Sequence, residues 1–164
     1  MFFLRKLILI RVVFQLCTLR HVTARHDLED QAREIIRKSY GIGNIIKFLG
    51  DKNLRDHFGV LKATVGLIKN LTTSQALIPY ICEQNAVRRL CELMLNIDRS
   101  QDKSKYDSIL EILIGTLTNL VQYSTSKSII REHNCTNILS RLSQSPSSSL
   151  QQSASVLLRE LNSE

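Results

Sequence analysis

Apolar residues return every three or four positions along most of the chain, and strict apolar–polar alternation is rare, so helices are expected throughout. The clearest stretch is Leu61–Thr73, LKATVGLIKNLTT. With Phe58 in front, Phe58, Leu61, Val65, Ile68 and Leu71 make one apolar stripe for a core. Lys62, Gly66, Lys69 and Thr73 share the other face, with Asn70 one turn beyond Gly66. The same periodicity predicts long helices over Leu7–Ala24, Phe58–Thr72, Asp107–Ser124 and Ser147–Leu161, the last opened by Pro146. Pairs of shorter helices fall between them: Leu28–Ser39 with Gly43–Leu49, Ser74–Glu83 with Ala86–Asn96, and Ser126–His133 with Thr136–Ser143.

The ends of the long helices resemble one another. Leu19-Arg20-His21-Val22, Ile68-Lys69-Asn70-Leu71, Leu117-Thr118-Asn119-Leu120 and Leu158-Arg159-Glu160-Leu161 end at successive offsets of 49, 49 and 41 residues. At the offset of 49, Gly66 falls on Gly115, Ile81 on Ile130, Glu83 on Glu132, Asn85 on Asn134, Leu90 on Leu139 and Leu93 on Leu142. Two intervals carry polar insertions, Gly50–His57 and Asp98–Tyr106, and removing about eight residues from each leaves a period near 41, the length of an armadillo or HEAT unit. A long helix preceded by two shorter ones suits armadillo better. The expected fold is an all-α armadillo-repeat right-handed superhelix, an α-solenoid, of about three and a half repeats. The expected units are a partial repeat at 1–24, repeats at 25–73 and 74–125, the second with the inserted loop 98–106, and a last repeat at 126–164.

A glycine inside a helix costs about 1 kcal/mol relative to alanine. Its recurrence at Gly66 and Gly115 therefore suggests a close approach between helices or to a ligand backbone. If the long helices line a concave surface, the pairs Arg20-His21, Lys69-Asn70, Thr118-Asn119 and Arg159-Glu160 form a ladder. Asparagine both donates and accepts, so it can satisfy the backbone of an extended peptide, and Lys or Arg beside it can pair with acidic side chains or phosphates. The alternative is that these are solvated helix ends, with cations near the favourable C-terminal dipole.

Charge sharpens the picture. The chain has 164 residues, enough for a domain with its own core, and a net charge of +7. Met1–Arg89 carries 15 Lys/Arg against 7 Asp/Glu, whereas Leu90–Glu164 carries 7 against 8. The basic half suits an acidic peptide, or a non-specific hold on nucleic acid or an anionic membrane. No tryptophan is present and no basic cluster is interleaved with aromatics, so base stacking finds little support. Cys17, Cys82, Cys91 and Cys135 form no CxxC pair, and reduced, buried thiols are expected, in a compartment where the sequons at Asn70 and Asn134 stay unmodified. The run MFFLRKLILIRVVF is split by Arg5, Lys6 and Arg11, which suits an amphipathic core helix better than a signal peptide, a span or a signal anchor. His21, His26, His57 and His133 have no metal-binding spacing, and no P-loop, GxSxG or Rossmann glycine pattern occurs. No catalytic residue, metal, cofactor or small-molecule substrate is expected.

CTLRHVTARH, followed by QAREIIRKSYG and then VLKATVGLIKNL, resembles the β-catenin (Armadillo) family over its later repeats. ILEILIGTLTNLVQYSTSKSIIREHNCTNIL is similar more loosely, and SLQQSASVLLREL fits a third helix; the resemblance covers Leu16–Glu164. It implies a basic groove for acidic, extended tails: cadherin cytoplasmic segments, T-cell-factor transcription factors and destruction-complex scaffolds. It further implies roles in Wnt signalling, transcription co-activation and adhesion, in cytoplasm, nucleus and adherens junctions. Arg20, His21 and Arg25 match groove residues of that family, as do Lys62, Lys69 and Asn70. Thr118 stands where the family tends to carry a histidine and Arg159 where it carries a small residue; Gly66 and Asn119 complete the groove set from the repeat pattern. The chain begins inside a unit and ends after a third helix, and MFFLRKLILIRVV matches the family poorly, so a fragment, divergent paralogue or truncated form is expected.

Overall fold

The computed structural model of the chain describes residues 2–24, 29–39, 41–51 and 57–163, and no strand occurs among them. In chain order the α-helices are α1 (Phe2–Ala24), α2 (Glu29–Lys38), α3 (Gly41–Phe48), α4 (Phe58–Leu71), α5 (Ile78–Glu83), α6 (Ala86–Asp98), α7 (Asp107–Leu120), α8 (Ser126–Glu132), α9 (Cys135–Leu142) and α10 (Ser148–Asn162). Two short pairs, α5–α6 and α8–α9, each precede a long helix, as the periodicity predicts. The first long helix starts earlier than expected, at Phe2 rather than Leu7.

The long helices pack in series, α1 on α4, α4 on α7 and α7 on α10, while α6 packs on α9 in the layer behind. Each element therefore touches its neighbours along one axis, which is the construction of a solenoid. α4 shows the consequence. Beyond the expected stripe it also buries Val60, Ala63, Thr64 and Leu67. A helix flanked by α1 and α7 and backed by α3 has almost no free side, so one apolar stripe understates its burial. Thr64 fits there because its hydroxyl donates to the Val60 carbonyl at 2.8 Å. On α1, Leu16 is buried, whereas Phe14 is 73% exposed and Leu19 37% exposed. No helix among the described residues is long and apolar enough to cross a membrane.

Local chemistry sets the breaks. The stretch expected as one helix over Ser74–Glu83 divides into a 3₁₀ turn at Gln75–Leu77 and α5, because Pro79 has no N–H to donate and sits in the first turn of the new helix. Asn85 and Asn134, which match at the offset of 49, are the non-glycine residues with positive φ among the described residues, 62° and 54°. Each joins a short helix to the next in the left-handed conformation that asparagine tolerates better than other β-carbon residues. Asn85→Ala is expected to lower stability by about 1 kcal/mol and Asn85→Gly to cost nothing, as read by thermal unfolding.

The polar insertion is tied down by charge. Asp98 accepts from Arg141 at 2.7 Å and from Lys103 at 3.1 Å, linking α6, the loop and α9. Burial raises the Asp98 pKa, but the hydrogen bonds from Arg141 and Lys103 outweigh it and hold the carboxyl below its usual range. A depressed folded pKa gives stability that is present above the unfolded value, near 3.9, and lost as pH falls through the folded value. Asp98→Asn should therefore lower the melting midpoint at neutral pH, by under about 1 kcal/mol since the pair is largely solvated. The gap from wild type should close as the buffer is taken below the folded pKa.

Candidate functional site

The last turns of the long helices meet as a series of matched contacts. The Arg20 side chain lies across Gly66: a β-carbon there would meet Arg20 Nε at 2.6 Å and Cδ at 2.9 Å. One step on, Lys69 lies across Gly115, where a β-carbon would stand 3.3 Å from both Cε and Nζ. The recurring glycines are thus troughs in α4 and α7 that hold the cationic side chain of the preceding long helix. Of the two explanations open in the sequence, a close approach between helices is the one observed.

The asparagines join the same helices. Asn70 Nδ2 donates to the Arg20 carbonyl at 2.8 Å and to Thr23 Oγ1 at 3.3 Å. Asn119 Nδ2 donates to Thr72 Oγ1 at 3.0 Å. Thr23 and Thr72 are themselves buried and stand 49 residues apart, a match that sequence comparison passed over. The Asn70 amide thus adds a donor to the Arg20 carbonyl near the end of α1, and the Asn119 amide adds one to the Thr72 hydroxyl just past the end of α4. Both amide hydrogens of Asn70 are used in this way, so a ligand would meet its Oδ1.

The series changes after α7. At the offset of 41, Val156 occupies the place of Gly115, and Glu160 that of Asn119. Thr118, in the place of Lys69, turns its hydroxyl to the Ile114 carbonyl at 2.9 Å. Lys69, Gly115, Thr118 and Asn119 line a depression of about 330 Å³ with Gln152, Ser153 and Val156 of α10. The three α10 residues escaped sequence reasoning, although the offset that pairs Val156 with Gly115 pointed to one of them.

Of the other expected site residues, His21 is exposed on α1, and Lys62 is half-buried with Nζ 5.8 Å from the Phe58 ring centroid. Arg159 is exposed and lies 3.8 Å from Glu160, away from the depression. Arg25 lies outside the described residues. All four cysteines are free thiols; Cys91 and Cys135 are buried, Cys17 and Cys82 half-buried. The hydrogen bond with Cys135, together with burial, pushes the Cys91 thiol far up, and burial raises that of Cys82. Cys82 and Cys91 are thereby weak nucleophiles, whereas the same hydrogen bond lowers the Cys135 thiol. Among the described residues no group of three His, Cys, Asp or Glu side chains could hold a metal ion.

The chain is 28% identical over 160 residues to "Catenin beta" of Urechis caupo, covering 88% of this chain and 19% of that one. It is 29% identical over 165 residues to "Catenin beta" of Tripneustes gratilla, covering 90% and 20%. It is 30% identical over 130 residues to "Junction plakoglobin" of Sus scrofa, covering 79% and 16%. The chain thus spans about a fifth of the length of the curated relatives it matches. No family model matches it. Its fold is similar to that of a designed armadillo repeat protein, with a TM-score of 0.72 at 17% identity over 92% of this chain and 58% of that one. An engineered protein gives a TM-score of 0.66 at 16% identity over 91% and 64%. The serial packing of long helices and the catenin relatives lead to one conclusion: the chain belongs to the β-catenin/Armadillo family and folds as an all-α armadillo solenoid.

Proposed function

We propose that this chain is a protein-binding scaffold, not an enzyme, whose basic face along α1, α4 and α7 takes acidic, extended segments of partner proteins. The observation that carries the reading is the serial seating of Arg20 over Gly66 and Lys69 over Gly115. Arg20 and Lys69 thus lie over successive long helices, and Lys62 and His21 are further basic residues on α4 and α1. An extended acidic chain crossing those ends would meet guanidinium and ammonium groups in turn. We assign the groove to Arg20, His21, Arg25, Lys62, Gly66, Lys69, Asn70, Thr118, Asn119 and Arg159, within units at 1–24, 25–73, 74–125 and 126–164.

Family membership supports the choice of partners: cadherin cytoplasmic tails, T-cell-factor-type transcription factors and destruction-complex scaffolds. It supports work in Wnt signalling, transcription co-activation and cell–cell adhesion, in the cytoplasm, the nucleus and adherens junctions. The test is calorimetric titration with a cadherin or T-cell-factor tail peptide and with its Asp/Glu→Asn/Gln counterpart. Binding of the acidic peptide alone supports the reading. Equal binding to random duplex DNA or anionic vesicles, with steep salt dependence and no peptide preference, overturns it in favour of a non-specific polyanion binder.

A further inference from the structure

Two thiols meet in the layer behind the long helices. Cys91 stands in the middle of α6, and Cys135 opens α9, the helix on which α6 packs. Both side chains are fully enclosed, and a hydrogen bond joins them. The bonds run in one direction: Cys91 donates to the Cys135 sulfur, and the Cys135 thiol turns to the His133 carbonyl at 3.9 Å. The pair is therefore unequal. Cys91 keeps its hydrogen between the two sulfurs, whereas a thiolate at Cys135 would accept that same hydrogen bond. Cys135 also holds the first position of α9, where the free N–H groups of the first turn favour negative charge. α6 belongs to the short pair before α7 and α9 to the pair before α10, so the two sulfurs bridge successive helix groups.

We propose that Cys91 and Cys135 form a redox modification site, a dithiol that hydrogen peroxide closes into a disulfide staple between α6 and α9. Cys135, as thiolate, attacks one peroxide oxygen. The S–O bond forms and the O–O bond breaks, and the departing hydroxide takes up the Cys135 proton as water, leaving a sulfenic acid. Cys91 then attacks the sulfenic sulfur. The S–S bond forms, the S–O bond breaks, and the hydroxyl leaves with the Cys91 proton as a second water. Two thiols lose two electrons in total, and one peroxide becomes two waters. The first step needs only a brief opening at the start of α9, because helix ends open more readily than interiors and peroxide is a small molecule. Cys91 stays in place as the resolving thiol. The closed ring holds the 45 residues from Cys91 to Cys135, among them the inserted loop, α7 and α8. Such a ring restricts the unfolded chain more than the folded one, so oxidation should stabilise the array.

The test treats the folded full chain with hydrogen peroxide, beside a Cys17→Ser, Cys82→Ser form that keeps only this pair. Remaining thiols are blocked with N-ethylmaleimide in denaturant, and tryptic peptides are weighed by mass spectrometry. The expected product is Leu90–Arg99 joined to Glu132–Arg141, two hydrogens lighter than the separate peptides and parted by dithiothreitol. The melting midpoint should rise by about 10 °C on oxidation and return on reduction. Cys91→Ala should leave Cys135 as a sulfenic acid that dimedone traps, and Cys135→Ala should leave Cys91 unoxidised. Should either alanine variant fail to fold, the linkage and the midpoint of the unsubstituted pair still decide. Recovery of both thiols as separate maleimide adducts, or of Cys135 as sulfinic acid without a linkage, overturns the site. A linkage to Cys17 or Cys82 in its place does the same. A Cys91–Cys135 linkage that leaves the midpoint unchanged or lower overturns the staple.

Discussion

Lys62→Glu combined with Lys69→Glu is expected to weaken binding of an acidic peptide about thirtyfold, without unfolding the chain. An exposed ion pair contributes about 0.2–1 kcal/mol, and reversal replaces that attraction with repulsion of similar size. Two such sites give a loss of about 1–4 kcal/mol, or roughly fivefold to several hundredfold in Kd. The lysines are seven residues apart on α4, about 10 Å along the axis, so the single effects should nearly add. Lys69 is exposed and Lys62 only half-buried, so the melting midpoint should move by no more than a surface change does, about 0.5 kcal/mol. Screening should shrink the effect at high salt, where the Debye length falls to about 3 Å at 1 M. Calorimetric titration of wild type, singles and double at two salt concentrations measures all of this. An unchanged affinity in the double variant sinks the assignment of the groove.

Leu113→Ala should produce the largest loss of stability. Leu113 is fully enclosed in α7, the long helix that packs against both α4 and α10. Truncating a leucine at such a site costs about 2–5 kcal/mol, from lost transfer energy and from the cavity left behind. A domain of this size holds only about 5–15 kcal/mol in total, so the midpoint should fall by about 10 °C. The position within the array adds a second expectation. In a solenoid each element is held mainly by its neighbours, so weakening α7 loosens the segment beyond it from the segment before it. Unfolding followed by circular dichroism and by a fluorophore on α10 should then lose coincidence. Leu113→Met, which conserves volume, should cost under about 1.5 kcal/mol and keep one transition. A loss below about 1 kcal/mol in Leu113→Ala would show that the α4–α7–α10 packing is not the core.

The two variants separate the two tasks of the long helices. One row of side chains faces other helices and decides whether the array exists; another row lies at the helix ends, where we place the proposed groove. Gly66, which is buried, and Gly115, which is half-buried, sit at the join, since a cation from the preceding long helix lies across each. The same glycine that costs helix propensity sets the position of the charge.

How much of this was legible in residues alone differs by kind. Among the described residues, the order and approximate bounds of the helices followed from apolar spacing, because a helix must bury one stripe wherever its neighbours lie. The repeat followed from offsets of 49 and 41, because serial packing demands similar contacts at similar places. Matched pairs such as Asn85 with Asn134 were visible, but their reason was not: only backbone angles reveal that both stand in the left-handed region. Gly66 and Gly115 announced a close approach without naming what approaches.

By itself, then, the sequence determined an all-α repeat array with a basic first half, since periodicity and charge are properties of the chain in order. The tertiary structure alone decided that Asn70 and Asn119 donate to the preceding long helix, and that Arg20 and Lys69 lie in glycine troughs. It also decided that Val156, Gln152 and Ser153 close a hollow with Gly115. Those are relations between residues 37 to 50 positions apart, and no local spacing rule reports a distance across two helices.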